Sequence, residues 1–239
     1  MGFTFYGDLL GIASNYHLDE KLAYEKLDRF YTISFENLGG YCNAYLDSKV
    51  FMFSDSILFY GEDTISALKK LHTLYLSLLK SNLLLRGAIV KGKLDFEPRF
   101  ELKNFEKNLP INGTLAKAVS LQNIYKGARL IIDIELAKEL LYDIPDWLTQ
   151  EGFYTNFKTE ILNSDLLMRI STTPDNSAYE FLYFWQSHNQ QFTFDHKQKK
   201  NELEEISKMM NPNISVHYKE TVELIKRSQS REKFIQKNT

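Results

Sequence analysis

Two apolar, strand-like runs in this chain each enclose an aspartate, and this limits its possible folds more than any other feature. FYGDLLGI, residues 5–12, sets Asp8 behind an aromatic run, and FMFSDSILFY, residues 51–60, encloses Asp55. A carboxylate in such a setting is costly unless it is paired or holds a cation. Either the two aspartates meet at one polar site, or they are unrelated turn and cap residues, a role that aspartate favours.

The segment order favours the first reading. GFTFYGDLL is a strand that turns at Gly11. Leu18, Leu22, Leu27, Phe30 and Ile33 recur at helical spacing and predict an amphipathic helix over 18–36, with Asp19 and Glu20 in its first turn. Gly39-Gly40 is expected to break the chain after it. KVFMFSDSILFYG reads as a hairpin around Ser54-Asp55, and Asp63 or Thr64 caps a second helix striped by Ile65, Leu68, Leu71, Leu74 and Leu78. LLLRGAIVKGKL is a strand interrupted by Gly87 and Gly92, and residues 93–110 form a charged arm or long loop. NGTLAKAVSLQNIYKG is a short helix closed by Gly127, and ARLIID is a further strand.

The order to residue 134 is β-α-β-β-α-β-(arm)-α-β. That is an α+β, ferredoxin-like plan in which the first strand and the hairpin lie side by side at the sheet centre. Residues 1–140 are expected to form this core and 141–239 a C-terminal α/β extension packed on it. In the extension, DIPDWL and STTPDNSAYEFLYFW predict irregular structure and one strong strand. Charged helices over 197–210 and 216–235 follow, parted by Asn-Pro-Asn and ending in a frayed tail.

Composition narrows the class. The 239 residues carry a net charge of −2, so no basic field recruits nucleic acid, which disfavours a polymerase-like palm. The single cysteine, Cys42, excludes an internal disulfide and suits a reducing compartment. No basic n-region opens the chain, and the apolar run 74–85 is broken by Ser77, Lys80, Ser81 and Asn82, so a cytoplasmic protein off the membrane is expected. The five histidines show no ligand-like spacing.

Placed at the end of the first strand and at the hairpin tip, Asp8 and Asp55 become neighbours. Two close carboxylates repel unless a cation lies between them, and a hard cation of the Mg²⁺ type takes such oxygens together with phosphates. On that footing, removing either aspartate is expected to hold or raise the stability of the metal-free chain.

Here the residues resemble a known family. Asp8-Leu-Leu-Gly-Ile is similar to the Asp-Ile-x-Gly-Phe segment of class III nucleotidyl cyclases, and Ser54-Asp55-Ser56 to their Gly-Asp hairpin. Arg86-Gly-Ala-Ile-x-x-Gly92 resembles their Arg-x-Gly-Ile strand, and Gly113-x-x-x-x-Ala118 their Gly-to-Ala helix. The last two, with the basic turn Lys126-Gly-Ala-Arg129, resemble most the pyrimidine nucleotide cyclases of bacterial anti-phage systems. The resemblance covers about residues 3–135.

It implies two Mn²⁺ or Mg²⁺ ions held by Asp8, Asp55 and the Leu9 carbonyl, and a nucleoside triphosphate substrate at Leu9, Leu10, Gly11, Phe51, Phe53 and Arg129. Arg86, Lys117 and Arg129 are the candidate cations for the reacting phosphates. UTP or CTP would become the 3′,5′-cyclic nucleotide plus pyrophosphate, a defence signal read by a separate effector protein. A homodimer would complete the site, with Lys117 and Arg129 serving the partner's nucleotide. The purine-reading lysine of the family falls at Phe51, its acidic or polar partner near Pro110, and its usual asparagine and arginine at Lys117 and Leu121. These departures fit a pyrimidine cyclase. The alternatives are an adenylate or guanylate cyclase with other base contacts, or a silent nucleotide-binding homologue.

Overall fold

The computed structural model describes residues 2–12, 16–17, 19–97, 100–102, 105–140, 170–173, 175, 177–181 and 195–238. DIPDWL and the FLYFW end beyond Phe181 lie outside them. Strand β1 (Phe3–Leu9) leads into helix α1 (Glu20–Ala44), the hairpin β2 (Lys49–Phe53) and β3 (Ser56–Gly61), helix α2 (Thr64–Lys80) and strand β4 (Leu85–Lys91). A two-stranded arm, β5 (Phe100–Leu102) and β6 (Phe105–Lys107), precedes helix α3 (Thr114–Ile124) and strand β7 (Leu130–Ile132). Helix α4 (Ile134–Leu140), strands β8 (Ile170–Thr172) and β9 (Tyr179–Phe181), and helices α5 (His196–Met209) and α6 (Pro212–Asn238) follow.

The main sheet has the order β2-β3-β1-β4-β7-β9-β8. Strand β1 sits between β3 and β4, antiparallel to both, as the segment order predicts. The described part of the extension shares this sheet: β9 pairs with β7, and Leu203, Tyr218, Val222 and Ile225 enter the core that Phe3, Phe5, Phe30 and Leu68 begin.

Local chemistry sets the helix starts. Asp19 caps α1 by accepting from the Leu22 N–H, and Asp63 caps α2 through the Ser66 N–H. Gly39-Gly40 does not break α1, contrary to expectation; the helix runs to Ala44. Each helical glycine costs about 1 kcal/mol, and burial beyond them offsets it. Tyr41 is buried, packs edge-on against Phe59 and donates to the Asp63 carbonyl. Strand β4 likewise passes through Gly87 unbroken, and glycine is required there by close packing: a Cβ would stand 2.6 Å from the Phe5 ring and 2.7 Å from the Tyr75 hydroxyl. Helix α6 continues to Asn238, past the point where the sequence predicts fraying.

Alternation gives the sheet two faces. Phe3, Phe5, Leu9, Ile57 and Phe59 face α1 and α2 in the core. Thr4, Tyr6 and Asp8 face the other way, where α3 covers part of β1 and β4: Thr4 bonds Thr114 and Asp8 bonds Gln122.

Candidate functional site

Cross-strand register assembles the site. Phe53 lies opposite Ser56, Ser56 opposite Asp8, and Asp8 opposite Arg86, so these four residues form one row across β2, β3, β1 and β4. Ser54 and Asp55 make the two-residue turn at the end of that row, with Ser54 at φ 52°. The Leu9 N–H donates to the Asp55 carbonyl at 2.7 Å, fixing the hairpin tip beside the end of β1. The two aspartates are brought together as the segment order predicts.

Their surroundings differ. Arg86 holds Asp8 in a two-pronged ion pair, Nε to Oδ1 at 3.1 Å and Nη2 to Oδ2 at 2.9 Å. The Gln122 amide adds a third donor, Nε2 to Oδ1 at 2.9 Å. Arg86 is 11% exposed and Asp8 25% in their side chains, so the pair is partly desolvated. The Asp55 carboxylate is half-buried and makes no hydrogen bond or ion pair with a described residue.

The donor set suits a hard divalent cation. Two carboxylates and nearby backbone carbonyls offer only oxygen, and among the described residues no third histidine, cysteine or acid joins them. Water and ligand phosphates would complete the coordination of an ion of the Mg²⁺ type. Any such ion has to compete with Arg86 for Asp8.

The remaining candidates are spread out. Leu9 ends β1, and Leu10 and Gly11 form the turn after it; Leu9 is buried, Leu10 donates its N–H to the Leu84 carbonyl, and Gly11 adopts φ 84°. Phe51 and Phe53 share the Asp8 face of the sheet and are 46% and 83% exposed, unusual for large aromatics on a strand. Phe51 stacks on Tyr60 and meets Phe96 edge-on. Lys117 is held by Asp133 and Glu135 at 2.8 and 2.9 Å, beyond the C-terminal end of β7, where the Asp133 N–H bonds the Ile89 carbonyl of β4 and not the Arg86 end that faces Asp8.

Arg129 has another task. Its side chain is 5% exposed; Nε donates to the Lys126 carbonyl, Nη1 to Glu180 and Nη2 to Glu220. With each of its three nitrogens bonded, to its own turn, β9 and α6, and its side chain buried, Arg129 faces the interior and not a nucleotide. An apolar cleft of about 710 Å³, lined by Phe35, Cys42, Val50 and Met52 among others, lies on the α1 face, away from the carboxylates.

Two residues escaped the sequence reading. One is Gln122, whose contact with Asp8 spans 114 positions. The other is His217 on α6, whose Nδ1 accepts the Gly127 N–H at 3.2 Å. Thr221 accepts the Ala128 N–H beside it, so α6 clamps the turn whose Arg129 carbonyl bonds the Gly87 N–H next to Arg86.

Burial lowers the His217 pKa, and the positive charges of Arg86 and Lys126 lower it further, against the pull of Asp8 and Glu220. A neutral Nδ1 is needed to accept from Gly127. The unfolded chain therefore binds this proton first, and the contribution of His217 to stability is complete above pH 6.5. It is lost as pH falls from there through the lower folded-state value. Melting curves between pH 7.5 and 5 should show that acid-side loss shrinking in His217→Gln.

No family model matches the sequence, and no curated protein does. Solved structures do match. The adenylyl cyclase CyaB from P. aeruginosa superposes with a TM-score of 0.51 at 13% identity, over 79% of this chain and 95% of that one. An adenylate cyclase from Trypanosoma brucei gives 0.50 at 11%, over 80% and 91%. The fold is that of the class III nucleotidyl cyclases. Among the described residues, no helix is long and apolar enough to cross a membrane.

Proposed function

We propose that this chain is a nucleotidyl cyclase that converts UTP or CTP into the 3′,5′-cyclic nucleotide and pyrophosphate. One observation carries the reading: on a cyclase fold, Asp8 and Asp55 converge at the ends of paired strands. In the reaction the ribose 3′-oxygen attacks the α-phosphorus, the bond to the β-phosphate oxygen breaks, and the hydroxyl proton leaves to solvent. Two divalent ions, when bound, supply positive charge that acidifies the 3′-hydroxyl and offsets charge on the phosphates.

The chain's own residues hold and orient. Asp8 and Asp55 bind the ions, and the Leu9 carbonyl is a further oxygen. The turn Leu9–Gly11 lines the triphosphate, and Arg86 stands within reach of its charge. Phe51, backed by Tyr60 and Phe96, presents an aromatic ring with no hydrogen-bond donor of its own where the resemblance puts a purine-reading lysine. That ring supports the pyrimidine preference. A role as a defence messenger, with a separate effector reading the product, extends the same reading.

Two copies complete the site. The exposed Phe51 and Phe53 leave part of the Asp8 face open to a partner, and in its own chain Lys117 is turned to Asp133 and Glu135, not to Asp8. A head-to-tail pair would bring Lys117 of one copy to the aspartates of the other. Mixing inactive Asp55→Ala with inactive Lys117→Met should then restore up to about a quarter of wild-type activity per site by random pairing. A mixture that stays inactive after confirmed subunit exchange would place the whole site within one chain.

A further inference from the structure

We propose that Arg86 is the resident counter-ion of Asp8, and that Gln122 is a positioning residue that receives Arg86 when a divalent ion displaces it. The proposal rests on the cyclase reading above. Gln122 is 2% exposed, and its amide is only half used. Nε2 donates to Asp8 Oδ1, while Oε1 is buried without a partner. Buried amide oxygens are normally satisfied, because an unmade hydrogen bond forfeits the full cost of desolvation. Turning the amide over would set Oε1 against a carboxylate oxygen, so chemistry fixes its orientation.

The geometry shows what the idle oxygen can accept. Arg86 Nε and Gln122 Nε2 reach the same Asp8 oxygen, at 3.1 and 2.9 Å, so guanidinium and amide lie side by side. A divalent ion at Asp8 would be repelled by the guanidinium and would compete for the same lone pairs. Arg86, with a side chain only 11% exposed, would then leave its N–H groups unpaired unless an acceptor stood beside it. Gln122 Oε1, buried, unpaired and on the same amide as the nitrogen that shares Asp8 Oδ1 with Arg86, is the acceptor we assign. In the exchange Arg86 gives up Asp8 for Gln122 Oε1, and Asp8 gives up Arg86 for the ion.

Mn²⁺ binding to the 239-residue chain, read from free Mn²⁺ by electron paramagnetic resonance without nucleotide, tests this. Wild type, Arg86→Met, Gln122→Met and the double variant are compared, with folding checked by circular dichroism. Arg86→Met should tighten Mn²⁺ binding about tenfold or more, as removal of a close competing charge implies. Gln122→Met should weaken it about tenfold while Arg86 is present and leave it unchanged in the Arg86→Met background, a coupling that a general packing defect would not produce. Gln122→Glu, which offers Arg86 a charged acceptor, should bind at least as tightly as wild type and stands in if Gln122→Met does not fold. Unchanged or weaker binding by Arg86→Met overturns the exchange, as does a Gln122→Met defect that persists without Arg86. If neither wild type nor Arg86→Met binds Mn²⁺, the cyclase reading fails along with it.

Discussion

Asp8→Ala is expected to abolish turnover and, in the same protein without metal, to lower its melting temperature. The activity loss follows from removing half of the ion-holding carboxylate pair and should reach at least about 10³-fold. The stability loss follows from what Asp8 holds. Its removal takes three hydrogen bonds from Arg86 and the buried Gln122 amide, and Gln122 Oε1 can take back at most part of the Arg86 donors while Gln122 Nε2 stays unpaired. Leaving such donors unpaired costs about 1–3 kcal/mol. This reverses the expectation from sequence, in which two bare carboxylates repel and losing one brings relief. Asp55→Ala should be equally inactive but melt with wild type, because no described residue depends on its carboxylate. Matched melting curves for the two variants would refute the assigned role of Arg86.

The second large effect lies away from the reacting groups. Arg129→Met should cost about 3–5 kcal/mol, a fall in Tm of roughly 10 °C for a chain of this length. Glu180 is 1% exposed, and Arg129 reaches one of its oxygens at 2.5 Å. Arg227 approaches the other at 2.8 Å without hydrogen-bond alignment, which leaves Arg129 as the principal partner. The same guanidinium ties Glu220 of α6 to the α3–β7 turn. Thermal melts with activity measured well below Tm separate the two roles once proposed for this residue. A structural arginine loses stability first; a nucleotide-binding one loses turnover with Tm intact.

Much of the core was legible because local pattern and tertiary structure agree there. The alternation in GFTFYGDLL and KVFMFSDSILFYG gave β1, β2 and β3, and their pairing placed Asp8 beside Asp55. The caps at Asp19 and Asp63 marked two helix starts. Gly39-Gly40 misled because the burial of Tyr41, visible only in three dimensions, outweighs glycine propensity. Gln122, His217 and the task of Arg129 were hidden for a related reason. Each meets its partner across 51 to 114 positions, and no periodicity or motif spacing records such a meeting.

The central claim is that this chain closes a nucleotide on itself, and product mass tests it most directly. The 239-residue chain is incubated separately with ATP, GTP, UTP and CTP in the presence of Mn²⁺, with Asp55→Ala as control. The account predicts a 3′,5′-cyclic pyrimidine nucleotide with matching pyrophosphate, formed in preference to either purine product and absent from the control. Clean conversion of ATP or GTP alone would contradict the role given to Phe51, and no cyclic product from any of the four, in a protein shown to bind Mn²⁺, would contradict the cyclase itself.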